Sequence, residues 1–447
     1  MKSSPPTAQP EALPGAAASA PEAGLQHGIH DNLEQFLQLL LQVFLVGCAI
    51  GMMRTVVPAL AESEFGVPRG SFVLLTTFVV AFGFVKGAVN FFGGELSERV
   101  GRKRVLLWGW LCALPIPAMV LWGPTWSWIV AATVLLGINQ GLAWSMTVTA
   151  MLDVTRPDER GLTVGLNEFA GYVGMALAGI ATGYLAVGLG PRVGLALFGV
   201  LVLLPALALA AGSVRDTRPW ALAEARRDGA AGGRSAARAI KAAAGSPNAW
   251  EVFRLVSWRD RRFFALSQAG MAEKFVDALV WVFYPVYFHR HGVSLAHIGW
   301  IVGCYGFVWA GAQLLTGRLS DHIGRHALNV GGMWLSGLGV ALMPAVHQVW
   351  WWSLCAALSG LGMAMLYPNL IAAVADIAHP TWRGSALGVY RFWRDAGYGF
   401  GALGMGFAAV ATGALESGFW FVACGMFVSG FVLWRWGEET HPRINPV

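Results

Sequence analysis

Nine ionisable side chains lie in stretches of the chain that are otherwise almost wholly apolar: Arg54, Lys86, Glu168, Glu273, Lys274, Asp277, Arg391, Arg394 and Asp395. Their spacing suggests chemistry. Glu273 and Asp277 are i and i+4, so on a helix they share one face, and two close carboxylates in a low dielectric do not comfortably both ionise. A proton-coupling site needs that property. Lys274, together with Arg54 or Lys86, offers the other reading, in which each acid is simply neutralised by a cation; both readings stay open at this point. Arg391 and Asp395 are also i and i+4 and could pair within their own helix, leaving Arg394 over, with Tyr398 one turn on. Arg54, Lys86, Lys274 and Arg394 tilt the expected cavity towards positive charge, which favours an anionic substrate carrying a carboxylate or phosphate.

The surroundings give these residues their weight. Of 447 residues, 56% are hydrophobic and only 13% charged, with a mean hydropathy of +0.55, whereas soluble domains carry about 25% charged residues. Continuous apolar windows of roughly 20 residues recur, each long enough to cross a ~30 Å hydrocarbon core as a helix. They do not alternate, which excludes a barrel of two-sided strands. The expected fold is an all-α membrane protein with twelve transmembrane helices. The first six spans are about 36–61, 71–93, 103–122, 127–152, 160–186 and 190–212. The second six are about 262–288, 296–317, 326–345, 349–375, 384–413 and 417–435. Each charge at a helix centre costs roughly 2.5–3.5 kcal/mol on insertion scales, so the nine must face one another or a watery cavity.

Lys and Arg cluster in alternate loops: Arg99, Arg102, Lys103 and Arg104; Arg156 and Arg160; Arg215 through Arg262; Arg318 and Arg325; Arg383. The other loops show only Arg69, Arg192 and Arg290. The positive-inside rule then places both termini and the long middle loop in the cytoplasm, in a protein of the cell membrane. The net charge of +6 is therefore topological, and no nucleic-acid partner is expected. Residues 1–31, rich in Pro, Ala and Ser and without a signal-peptide apolar run, read as a disordered cytoplasmic tail. Cys48, Cys112, Cys304, Cys355 and Cys424 are scattered through apolar spans without ligand spacing, so they read as buried small residues; no metal or cofactor is expected.

The chain repeats itself. "GGELSERVGRKR" (93–104) and "TGRLSDHIGRHA" (316–327) place Gly94 and Gly317, Leu96 and Leu319, Ser97 and Ser320, Gly101 and Gly324, and Arg102 and Arg325 each 223 positions apart. "DVTRPDERGLTVGLNEF" from Asp153 and "DIAHPTWRGSALGVYRF" from Asp376 obey the same offset, matching Pro157 to Pro380, Arg160 to Arg383 and Phe169 to Phe392. The reading is two six-helix halves, 32–212 and 262–436, joined by a charged, Ala-rich cytoplasmic linker 213–261 and followed by a tail 437–447.

The pattern carried by Gly94, Leu96, Ser97, Glu98, Arg99, Gly101, Arg102 and Lys103 resembles the loop 2–3 signature of the major facilitator superfamily; the second copy departs from it at His322 and His326. With twelve spans and a long central loop, the resemblance extends over the chain after about residue 32. It implies a gate in the cytoplasmic loops, with Gly94, Glu98, Arg99, Gly101, Arg102, Asp321, Gly324 and Arg325 as its candidates, latching the two halves and biasing an outward-open state. Two subfamily features are missing. "GINQG" has Gly137 where drug–proton antiporters carry an Arg, and "GYVGMALAGIATG" lacks their Gly-Pro pair, which disfavours a standard multidrug–proton antiporter. Its glycines, Gly171, Gly174, Gly179 and Gly183, read as helix-packing positions.

Glu168 and Arg391 occupy equivalent places, each eight residues past an Arg and so ~12 Å in from the cytoplasmic side. Opposite charges facing across the halves would form a switchable latch. Asn90, Asn139, Gln140, Trp144, Gln313 and Asn369 are expected to complete the cavity. The function expected is secondary active transport of a small solute by alternating access, proton-coupled, with efflux one direction, by a monomer in the lipid bilayer. A passive facilitator or solute sensor is the alternative. No ATP-binding loop, nucleophile–base pair or metal cluster argues for a pump or an enzyme, and His289, His291 and His297 read as solvated residues of one outer loop.

Overall fold

The computed structural model describes residues 25–65, 72–231, 247–442 and 444, with the side chains at 54–63, 72–79, 81, 228–231, 289, 295 and 296 excepted. Among these the regular structure is entirely helical. The first half comprises α1 (Leu33–Phe65), α2 (Phe72–Val100), α3 (Arg102–Trp122), α4 (Trp126–Val154), α5 (Arg160–Leu189) and α6 (Pro191–Gly212). A linker helix, α7 (Arg218–Ala231), follows. The second half comprises α8 (Arg261–Ala278, continuing to Arg290), α9 (Leu295–Ile323), α10 (His326–Leu342), α11 (Val349–Ile377), α12 (Arg383–Thr412) and α13 (Glu416–Trp436).

Nine of the described helices are long and apolar enough to cross a membrane. Among the other spanning helices, α8 and α12 stand out as polar, carrying the Glu273–Lys274–Asp277 and Arg391–Arg394–Asp395 groups, whereas Lys86 is the lone charge of the apolar stretch of α2 from Phe72 to Gly94. Every one of these charges is buried. A helix as polar as α8 or α12 is tolerated where its polar face turns towards protein. The halves meet along two lines, α2 against α12 and α5 against α9.

At one end of the bundle the halves touch backbone to backbone. A Cβ on Gly94 would lie 2.5 Å from the Gly384 carbonyl oxygen, and one on Gly161 would lie 2.4 Å from that of Gly317. These two crossings are images of each other under the 223-residue offset. At the other end α2 and α12 remain in contact as far as Gly83 and Tyr398, but α5 and α9 part company. A Cβ added to Gly183, Gly303 or Gly306 would meet nothing within 4 Å. The space between α5 and α9 is an apolar crevice of about 1290 Å3. Two helices loosen into a single π turn beside the centre, α4 at Gln140–Trp144 and α8 at Leu279–Phe283. Such turns displace side chains from the regular helical pattern; here they aim Trp144 and Trp281 at the pocket between the halves.

The expected tail 1–31 differs in its last residues. The Gly28 amide and the Asn32 side chain donate to the Val154 carbonyl, and Arg227 on α7 donates to the Leu25 carbonyl, so this stretch is held against the closed end. Residues 1–24, and Arg69 of the outer loops, lie outside the described residues. The linker is likewise partly built: besides α7 it holds a short helix, Ala249–Arg254, capped reciprocally by Asn248 and Glu251.

Gly101 and Gly324 adopt φ +96° and φ +97°, a conformation that other residues enter only under strain. A Cβ there would also strike the Asp216 and Glu439 carboxylates. Gly101→Ala should therefore cost about 1–3 kcal/mol, read as a lowered melting temperature in detergent. Gly183→Ala should leave it unchanged or raise it; equal effects would remove the conformational argument.

Candidate functional site

Eight described charges meet at the middle of the bundle, four acids and four bases. Asp395 is its hub. It accepts from Asn90 Nδ2 at 2.6 Å and from Arg394 at 3.2 Å, and Lys86 Nζ lies 3.6 Å away. The expected Arg391–Asp395 pair is not formed, because these three donors occupy Asp395. Arg391 turns instead towards the other half, with Nη2 3.6 Å from Glu168 and Nη1 donating to Ser145 Oγ at 3.3 Å. Trp144 Nε1 donates to the same Glu168 carboxylate at 3.0 Å. The equivalent acid and base of the two halves are thus brought together across their interface.

On α8 the three charges divide unequally. Lys274 donates to Asp277 at 2.7 Å and sits within 4.2–5.3 Å of the ring centres of Trp309, Tyr367 and Tyr398, a cage that adds cation–π attraction. Asp277 also accepts from the Tyr305 hydroxyl at 2.6 Å and from the Tyr398 hydroxyl at 3.1 Å. Glu273 makes no hydrogen bond through either oxygen, and Lys274 Nζ stays 3.7 Å away. Glu273 and Asp277 are thus chemically distinct, one bare and one fully bonded.

A small pocket of about 30 Å3 lies beside this cluster. Lys86 and Asp277 are the charged residues in its wall, with Gln140 and the rings of Trp144, Tyr172, Trp281, Trp309, Tyr367 and Tyr398 around them. Of the expected cavity residues, Gln140 and Trp144 line it, and Asn90 stands behind at Asp395. Asn139 instead donates to the Gly109 carbonyl on α3, a bond between helices, and Asn369 to the Met365 carbonyl one turn back on its own helix. Gln313 is buried at the α5 crossing with neither amide atom hydrogen-bonded. Arg54 lies in α1, its side chain outside the described residues.

The closed end carries a second constellation, and it is twofold. Glu98 accepts from the Gly384 amide at 2.7 Å, at the start of α12. Its equivalent, Asp321, accepts from the Gly161 and Leu162 amides at 2.9 and 2.8 Å, at the start of α5. Each carboxylate therefore sits at the positive end of a helix belonging to the opposite half. Arg102 holds Glu98 and Asp153, both at 2.9 Å; Arg325 holds Asp321 at 3.4 Å and Asp376 at 2.5 Å. Thr217 donates to Asp153 and Thr440 to Asp376, while Asp216 and Glu439 accept from the amides of Arg102 and Arg325. Arg99 takes no part, being exposed and paired with Glu95 on its own helix.

A single residue breaks this symmetry. Glu224 of α7 accepts from Arg160 at 2.8 Å and from both Nη atoms of Arg383 at 2.8 Å, tying together the equivalent arginines of the two halves. Burial alone would raise its carboxyl, but Arg383 and Arg160 outweigh it and hold the group at about 2.

Sequence reasoning passed over Asp153, Asp376, Arg160, Arg383 and Glu224 as site residues, and with them most of the pocket's aromatic wall. The 223-residue offset carried a signal for part of this set: "DTRP" at 216–219 and "ETHP" at 439–442 are a third repeated block. Nothing comparable marked Glu224, which has no equivalent.

The model of the Major Facilitator Superfamily matches residues 39–273 and 266–446. An uncharacterized MFS-type transporter of Salmonella typhimurium is 24% identical over 378 residues, 80% of this chain and 85% of that one. Multidrug resistance protein MdtH of Cronobacter sakazakii is 29% identical over 130 residues, a match that spans only 29% of either protein. Among solved structures, the human organic anion transporter MFSD10 superposes with a TM-score of 0.72 at 16% identity, covering 90% of this chain and 99% of that one. The proton:xylose symporter XylE gives 0.72 at 16% identity, covering 91% and 96%.

Glu168→Gln strands the buried Arg391 and should cost about 3–5 kcal/mol. The double variant Glu168→Gln/Arg391→Gln should recover more than half of that, measured by detergent melting; additive losses would contradict the pairing. Because Glu224 is held below its ordinary 4.5, its stabilisation is fully present above about pH 4.5 and is lost as pH falls towards 2. The melting-temperature gap between wild type and Glu224→Gln should follow that course.

Proposed function

The chain belongs to the Major Facilitator Superfamily, and from that premise we propose that it moves a small solute by alternating access, driven by protons taken up at Glu273. The observation that carries the proposal is the bare carboxylate: fully buried, without a hydrogen bond, beside a lysine committed to Asp277. Asp277, held by three donors, gains nothing from a proton, whereas a proton on Glu273 removes a buried charge that accepts no hydrogen bond and shares its lysine, at 3.7 Å, with Asp277. Asp277 is thereby assigned to positioning Lys274, and the pair of acids first grouped by spacing is divided into one coupling and one positioning residue.

The two constellations supply the conformational half of the reading. We assign the closed end to the cytoplasm, since it carries the arginine-rich loops, and the crevice to the outer side of the cell membrane. The Glu98–Gly384 and Asp321–Gly161 bonds hold the inner side shut, favouring an outward-facing state. Opening inward breaks both and separates Glu168 from Arg391. Solute and proton bound at the centre supply the compensating free energy, since a ligand shifts such an equilibrium only by its differential affinity for the two states.

A thermal-shift screen of anions, metabolites and drugs identifies the solute to use. In proteoliposomes, Glu273→Gln should abolish flux driven by a pH gradient while leaving counterflow of that solute within about twofold of wild type. Undiminished gradient-driven uptake in the variant would overturn the assignment. Counterflow without concentration in wild type would favour the passive facilitator, and binding without flux the sensor.

A further inference from the structure

The inner pocket and the large crevice share a wall. Tyr172, Met175, Trp281 and Trp309 line both, and the Tyr172 and Trp309 rings, with centroids 4.4 Å apart, pack against each other between them. The two compartments differ in chemistry. The inner one is small, about 30 Å3, and is walled by Lys86 and Asp277. The outer one, about 1290 Å3, is walled by apolar residues such as Phe169, Val173, Ile180, Val302 and Phe307. Its α9 wall is kept flat by Gly299, Gly303 and Gly306, at each of which a Cβ would meet nothing.

The charged groups of the inner pocket are not equivalent. Asp277 is consumed by Tyr305, Tyr398 and Lys274. Among the described residues the Lys86 ammonium donates no hydrogen bond; its closest carboxylate, Asp395, lies at 3.6 Å and already serves Asn90 and Arg394. An ammonium has three N–H donors, and the pocket beside it offers only neutral acceptors besides the occupied Asp277, among them Gln140 Oε1. The space therefore accepts a small head rich in acceptors and an extended apolar body.

Resting on the transporter reading above, we propose that the substrate is an amphipathic anion, its acidic head on Lys86 and its apolar body in the crevice between α5 and α9. The crevice runs from these rings towards the open end of the bundle along the side of α5 and α9. When the Tyr172 and Trp309 rings part, the head enters the inner pocket while the body remains in apolar surroundings. Soluble amphiphiles and anionic lipids share this chemistry.

The test is equilibrium binding to wild-type protein in phosphatidylcholine nanodiscs, with no gradient, read by the fluorescence of the pocket tryptophans. The probes are alkyl carboxylates and alkyltrimethylammoniums of four to ten carbons. Carboxylates should tighten about fourfold per methylene until the crevice is filled, and should bind at least tenfold tighter than ammoniums of equal length. Ammoniums binding as well as carboxylates, or affinity independent of chain length, would overturn the proposal and leave a crevice filled by bulk lipid. Lys86→Gln should lose at least tenfold for every carboxylate while Lys86→Arg retains binding. Gly303→Trp should weaken ten-carbon but not four-carbon probes. In phosphatidylglycerol discs, weakened carboxylate binding identifies a lipid occupant and unchanged binding a soluble one, either of which upholds the anionic head. Since no gradient is used, these results stand or fall independently of flux through Glu273.

Discussion

A charge buried in an apolar bundle must have a partner, and in this chain many of the partners lie on the opposite half. Glu168 faces Arg391, Lys86 faces Asp395, and Asn90 reaches across to the same carboxylate. Leaving one such charge alone costs several kcal/mol, so the halves cannot separate at the centre without something replacing those contacts. The requirement accounts for the polarity of α8 and α12, the two spanning helices that would be poor company for lipid. In the transport reading proposed above, it is also the route by which a substrate or proton acts on the whole molecule, since a small charge at the centre changes which arrangement of the halves is satisfied.

The closed end solves the same problem by duplication. Glu98 on one side and Asp321 on the other each bond to the first amides of a helix from the opposite half. Arg102 with Asp153, and Arg325 with Asp376, repeat the pattern behind them. On the transport reading proposed above, these two equivalent contacts are released together and give a two-state element, the kind that can be biased from a distance. Glu224 adds a third tie between the halves, supplied by the linker.

Much of this was legible before any coordinates. Twelve spans follow from apolar windows long enough to cross a bilayer, and the two-half architecture follows from blocks that share one offset. The identities of the buried charges were legible too, because a charge in an apolar run is conspicuous. Their pairing was not. Helical spacing made Arg391 and Asp395 look like partners, yet at the centre of two packed halves the competing donors, Arg394, Lys86 and Asn90, lie closer to Asp395. Spacing likewise could not tell Glu273 from Asp277, since what separates them is the tyrosines of α9 and α12. Glu224 was invisible for a different reason: in a charged linker one more acid carries no pattern. The aromatic wall of the pocket was hidden among 21 Trp, 8 Tyr and 25 Phe, most of which do nothing more than pack.

The central claim is that the bonds at the closed end hold the other end open. It is tested most directly by paired spin-label distances in nanodiscs. One pair would sit on exposed Arg104 and His322 at the closed end, the other on exposed Val187 and Trp300 at the open end. The account predicts that Glu98→Ala/Asp321→Ala lengthens the first distance and shortens the second in the same fraction of molecules. A longer first distance with an unchanged second would mean that the two ends are not coupled, and would contradict it.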